Sequence, residues 1–166
     1  MTHDPSLPRR LDGVKREVMI YLSTNFTLEE LTFSQIAARQ GIDNTPEAID
    51  IQNLRRLCAE LLEPARAILR VPLHVDSGFR SPPLNAAVGG SAVSAHMAGL
   101  AADVIPIGLS VEDAFHVLLA SALRYDQLIF ECREWLHLGL APATVTPRRE
   151  ALLATGHAGA WEYTAA

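Results

Sequence analysis

Apolar positions recur along this chain with two different periods. From Ile51 the sequence places Leu54, Leu57, Cys58, Leu61, Leu62, Ala65, Ile68 and Leu69 at three- and four-residue intervals. That is the stripe of a helix with one face turned to a core. Thr45 and Pro46 stand just ahead of it, a capping residue and a proline suited to the first helical position, so the predicted helix starts near Pro46. Pro64 lies inside the stripe and predicts a kink or break, because proline lacks the amide hydrogen that a helix interior needs. Upstream, Ser23 to Leu31 carries capping residues ahead of Glu29 and Glu30, and a short helix is predicted over about 33–40, stopped by Gly41.

Beyond Arg70 the period shortens. Val71 to Asp76 reads as a strand, and Ala101 to Ile105 as a buried strand closed by Pro106. Ser110, with Asp113 in a capping-box position, predicts a helix from Val111 to about Leu123. Gln127 to Phe130 and Trp135 to Leu138 read as two strands with a tight connection. Between Arg80 and His96, Pro82-Pro83 and Gly89-Gly90 predict a long loop with little regular structure, the kind of segment that often carries function. Residues 1–22 read as a leader whose second half, from Leu11, suits a helix or a short strand; residues 23–145 form the domain; residues 146–166 read as a helical or irregular tail. Helices first, then strands with one helix among them, indicate an α+β domain: a small, mainly antiparallel sheet with helices packed on one side.

Composition narrows the functional classes. At 166 residues, 49% of them hydrophobic and 20% charged, the chain suits one soluble globular domain with a sizeable core. A formal charge of −5 and the lack of a basic run argue against nucleic acid and anionic membrane as partners. No apolar run approaches the twenty or so residues of a membrane span, so no membrane insertion is expected. Met1 to Arg10 is polar with two prolines, which does not suit a secretory signal. Cys58 falls on the apolar stripe, as a buried thiol would, and no disulfide with the distant Cys132 is expected. Oligomeric state is not legible.

The chemistry concentrates in three residues. His96 and Asp103 lie in Ser-Ala-His-Met-Ala-Gly-Leu-Ala-Ala-Asp, and His137 in Glu-Trp-Leu-His. Two imidazoles and a carboxylate suit Zn2+, and three protein ligands leave the fourth position that a catalytic site needs. Seven residues rise about 10 Å on a helix and over about 20 Å on a strand, so the chain must turn between His96 and Asp103, and Gly99 permits that turn. His96 is therefore expected at the end of the loop, Asp103 on the strand that follows, and His137 on an adjacent strand. Glu131 and Glu134 are both candidates for a general base. Strand alternation turns Glu134 away from His137, and an ideal two-residue turn at Cys132-Arg133 would turn Glu131 away as well. A bulge or longer turn is needed to aim either one at the metal. Arg80, at the end of a predicted strand, could clamp a substrate carboxylate through paired hydrogen bonds.

Several motifs in one order carry a resemblance. Ser77-Gly78-Phe79-Arg80-Ser81-Pro82-Pro83-Leu84-Asn85, Val88-Gly89-Gly90-Ser91, Ser94-x-His96-x-x-Gly99-x-Ala101-x-Asp103 and Trp135-x-His137 resemble the M15 zinc peptidases, in particular their D-alanyl-D-alanine carboxypeptidase-like branch, common in phage and prophage genes. Asn25 to Leu31 and Gly41 to Pro46 resemble the same group, so the likeness spans about 23–140. It implies an α+β fold shared with the hedgehog signalling domain and Zn2+ on His96, Asp103 and His137. It places Arg80 near a substrate carboxylate and Ser94 in the site wall. For the base it offers precedents at both Glu134 and Glu131, and Asp126-Gln127-Leu128-Ile129-x-Glu131 favours Glu131. Phe79 departs from the tyrosine usual at its position. The implied reaction is hydrolysis of a peptide bond in peptidoglycan stem peptides, by a carboxypeptidase or an endopeptidase. With cytoplasmic synthesis and no signal peptide expected, it would follow phage-type release, delivery in a virion, or a cytoplasmic role on recycled wall peptides. The competing expectation is a non-catalytic, zinc-stabilised module that binds peptidoglycan or protein, as in a virion component.

Overall fold

The computed structural model describes residues 19–157 and 160–166. Most of the expected leader therefore lies outside the described residues. In its last part Tyr21 forms a single antiparallel bridge with Thr27.

The helical half is more finely divided than the apolar stripe predicts. Helix α1 spans Leu28–Thr32, opened by Thr27, whose hydroxyl accepts from the Glu30 N–H at 3.2 Å while the Glu30 carboxylate accepts from the Thr27 N–H. Helix α2 spans Gln35–Gln40 behind a Ser34 cap and ends at Gly41. The helix expected over 33–40 is α2, which starts two residues later because Ser34 caps it, and α1 precedes it as a separate short helix. Helix α3 spans Ala48–Leu57 rather than starting at Pro46. Thr45 bonds to the Asp43 carboxylate in a local turn, and the Asp50 carboxylate takes the Glu47 N–H instead. A π-helical turn, Cys58–Leu62, joins α3 to α4, Glu63–Leu69. The wider turn lets the chain stay helical through Pro64, so the expected disruption takes the form of a π turn rather than a break.

The strands form one open sheet: β1 Leu73–Ser77, β2 Ala101–Pro106, β3 Gln127–Glu131, β4 Trp135–Gly139, β5 Glu150–His157 and β6 Ala160–Ala165. Their order is β1-β2-β4-β3-β5-β6, antiparallel except for the β3–β5 pair. Two corrections to the sequence reading follow. The stretch expected as a helical or irregular tail supplies β5 and β6, which extend the sheet past β3. The loop after Arg80 contains helix α5, Pro82–Ala87, and a 3₁₀ turn, Ala95–Ala98; the paired prolines open a helix there instead of excluding one. Helix α6, Val111–Leu119, is capped by Ser110 as expected.

One face of the sheet is the core. Leu73, Val75, Ala102, Val104, Leu128, Leu136 and Leu138 pack with Leu54, Leu57, Leu61 and Leu62 of the long helical segment and with Phe115 and Leu118 of α6. Strand alternation sends Asp103, Ile129, Glu131 and His137 to the opposite face. The architecture is α+β, with the candidate chemistry on the face of the sheet opposite the long helical segment and α6. Among the described residues no helix is long and apolar enough to cross a membrane.

Candidate metal centre

His96 is delivered by the 3₁₀ turn. Gly99 ends that turn at φ +66°, and a Cβ there would lie 2.7 Å from the Asp50 carbonyl oxygen. The left-handed conformation and the lack of space both call for glycine. The chain then enters β2, so that Asp103 comes back beneath His96. Asp103 and His137 are direct partners across the β2–β4 ladder. At the end of β1, Gly78 passes so close to α1 that an added Cβ would stand 2.2 Å from the Leu31 carbonyl oxygen. Its own carbonyl accepts from His96 Nδ1 at 2.7 Å. A carbonyl only accepts, so Nδ1 carries the proton and Nε2 of a neutral His96 presents a bare lone pair.

Three donor atoms converge. His96 Nε2 lies 3.2 Å from His137 Nδ1 and 3.3 Å from Asp103 Oδ1, and the last two are 2.9 Å apart. Ligand atoms about 2.05 Å from a tetrahedral ion stand about 3.3 Å from one another, so the triangle has the size of one face of such a site. The three residues are 2%, 4% and 8% exposed in sequence order. Two lone pairs, those of His96 Nε2 and Asp103 Oδ1, face each other with no proton of their own. A donor set of this kind fits a cation, and these residues form a group that could hold a metal ion.

Protonation suits that role. Burial pushes His96 below the ordinary histidine value, against the pull of Asp103. Burial would raise the Asp103 carboxyl, but at the low pH where it titrates the imidazoles are protonated, and the charge of His96 with hydrogen bonds from His137 and His96 outweighs burial and holds the group well below the usual carboxylate range. Near neutral pH the centre therefore offers a carboxylate and a neutral His96 imidazole.

Arg80 is drawn into the centre. Its Nε donates to Ser77 Oγ at 2.9 Å and its Nη2 to Asp103 Oδ2 at 2.6 Å. Asp103 thus spends one oxygen on the ligand triangle and the other on Arg80. Ser94 begins the 3₁₀ turn and lines the same cleft as Arg80 and His96. Asn44 fastens the neighbouring segment: its Nδ2 donates to the Thr32 and Phe79 carbonyls, and its Oδ1 accepts from the Ser81 N–H.

The hairpin between β3 and β4 separates the two glutamates. Cys132 and Arg133 take φ of 48° and 63°, both left-handed, and the Glu134 N–H donates to the Glu131 carbonyl. That is a tight turn of the kind hairpins favour. Glu134 is an extra residue in it, so Glu131 pairs with Trp135 rather than with Glu134. The one-residue slip is the irregularity the spacing calls for, and it puts Glu131 on the face of His137. Trp135 Nε1 donates to Glu131 Oε2 at 3.0 Å. Burial, and then the charge of Asp103, raise the Glu131 carboxyl above its ordinary value. Glu134 is exposed and lies at the cleft's edge.

Several participants were not singled out from sequence. Ser77, the Gly78 carbonyl and Asn44 lie within quoted motifs, but only the fold shows that they hold Arg80, His96 and the Phe79–Ser81 segment. Trp161 and Tyr163, from the supposed tail, line the cleft too; the alternation of Trp161-Glu162-Tyr163-Thr164 was the available signal.

Comparison with known proteins agrees with this geometry. No curated protein matches the chain significantly. A family model described as Peptidase M15 matches residues 24–139, which is more than half of the chain and includes all three donor residues, Arg80 and both glutamates. The chain belongs to the M15 peptidase family.

Proposed function

We propose that this chain is a zinc-dependent peptidase that hydrolyses a peptide bond in bacterial peptidoglycan stem peptides. The observation that carries this reading is the buried triangle of His96, Asp103 and His137, open to a cleft, with Glu131 on the same face of the sheet. Its dimensions and its nitrogen and oxygen donors suit Zn2+. Zinc held there would supply Lewis acidity toward the attacking water and the scissile carbonyl.

The chain's own residues divide the remaining work. Glu131, raised by burial and by Asp103, is the better base, because its proton affinity is closer to that of the groups it must serve. It takes a proton from the attacking water and passes it to the leaving amine. Trp135 holds one carboxylate oxygen of Glu131 and so orients the other. Arg80 has Nε and Nη2 committed to Ser77 and Asp103, which leaves Nη1 as the group for a substrate carboxylate. Ser94 contributes a hydroxyl to the same wall.

Mass-spectrometric product analysis tests this reading. The zinc-loaded protein and its His96→Ala variant are incubated with purified peptidoglycan and synthetic stem peptides. Cleavage by the first alone is expected, and the product masses assign carboxypeptidase or endopeptidase action. Confirmed zinc loading without cleavage of any of these substrates would overturn it.

A further inference from the structure

Strands β5 and β6 lie wholly beyond the family-matched residues, yet they reach the metal cleft. Register shows how. Glu131 pairs with Ala154 across β3–β5, and Ala154 with Tyr163 across β5–β6, so the three stand in one row on the cleft face. Gly156 pairs with Trp161 one step along. The intervening strand therefore presents a methyl group and a hydrogen atom where β6 presents its two aromatic rings. Glu131 and Tyr163 stand two strands apart, about 10 Å between backbones, and only the Ala154 methyl intervenes. Ala154 is 2% exposed, whereas Tyr163 keeps half its surface open. Trp161, Tyr163, Glu131 and His137 line one cleft.

We infer that the β5–β6 hairpin is a substrate wall: the Tyr163 hydroxyl donates to an oxygen acceptor of the bound stem peptide on the Glu131 side, and the Trp161 ring packs against its next residue. The identity of that ligand rests on the function proposed above. Burial, and then the charges of Glu131 and Asp103, raise the phenol above its ordinary value, so it stays a donor at neutral pH. A hydroxyl held on the cleft face by a β ladder is placed more firmly than one on a loop, and costs less ordering on binding. The apolar ring beside it gives the pair a polar point and a packing surface.

Binding measured without turnover tests this. The zinc-loaded Glu131→Gln protein is titrated with a synthetic stem pentapeptide by calorimetry, then with Tyr163→Phe or Trp161→Ala added. Zinc content and melting temperature are recorded for each. Each addition is expected to weaken binding by about tenfold, the scale of one hydrogen bond or one packed ring, with zinc content and melting temperature unchanged. Affinity within twofold of the parent for both additions would overturn the hairpin assignment and leave the peptidase reading intact. A parent protein that binds zinc but not the pentapeptide would overturn both.

Discussion

Asp103 faces two demands at once, and its replacement by asparagine cannot meet both. Oδ1 must be an acceptor toward the ligand triangle, and Oδ2 accepts from Arg80 Nη2 at 2.6 Å. An amide has one acceptor. With its oxygen toward the triangle, its NH2 meets the guanidinium donor; flipped, its NH2 points where a metal ion would sit. The carboxylate is 5% exposed and the guanidinium side chain 18%, so this is a largely buried pair. Removing one partner from such a pair costs about 3–5 kcal/mol. The lower figure applies here, because Arg80 retains some solvent. At about 2–4 °C per kcal/mol for a chain of this size, Asp103→Asn should lower the melting temperature by about 6–12 °C. Calorimetry and zinc analysis after dialysis check it. A variant that keeps a full equivalent of zinc and melts within about 2 °C of the parent would refute the double role of Asp103.

Glu131→Gln should cut turnover by about 10²–10⁴-fold while zinc stays bound, whereas Glu134→Gln should stay within a few fold; initial rates on the cleaved stem peptide compare them. The base must be ionised, so activity is present above the Glu131 pKa and falls as pH drops through it. Trp135→Phe removes a hydrogen bond to the charged form, so the acidic limb of the kcat/KM profile should move to higher pH; an unmoved limb would count against Glu131 as the titrating base. Gly99→Ala forces a side chain into φ +66° with its Cβ 2.7 Å from a carbonyl oxygen. It should cost about 2 kcal/mol or more and weaken zinc binding, read by thermal melts with and without added zinc.

Fold class and the grouping of His96, Asp103 and His137 were legible because they depend on strong local signals. The apolar stripe from Ile51 to Leu69 and the alternation around Asp103 and His137 set which faces are buried. Gly99 between His96 and Asp103 left one way to bring the two together. Helix boundaries were less legible. Ser34 and Asp50 act through single side-chain hydrogen bonds that compete with equally plausible caps nearby, such as Thr45. Which of Glu131 and Glu134 shares the face of His137 hung on one extra residue in a turn, a difference that strand periodicity cannot resolve but cross-strand pairing can. The last twenty residues were misread because β5 pairs in parallel with β3, a contact distant in sequence. Tyr163 reaches the cleft only through that pairing. Arg80 was singled out as a clamp for a substrate carboxylate; its tie to Asp103 depends on tertiary geometry alone.

The central claim is that His96, Asp103 and His137 bind zinc with nitrogen and oxygen donors and leave a position free for chemistry. X-ray absorption at the zinc edge of the loaded protein tests it most directly. The expected result is a four-coordinate ion bound by two imidazoles, with all ligands at about 2.0–2.2 Å and no sulfur. A sulfur scatterer at about 2.3 Å, which would bring in Cys132, or a shell without imidazole would contradict it.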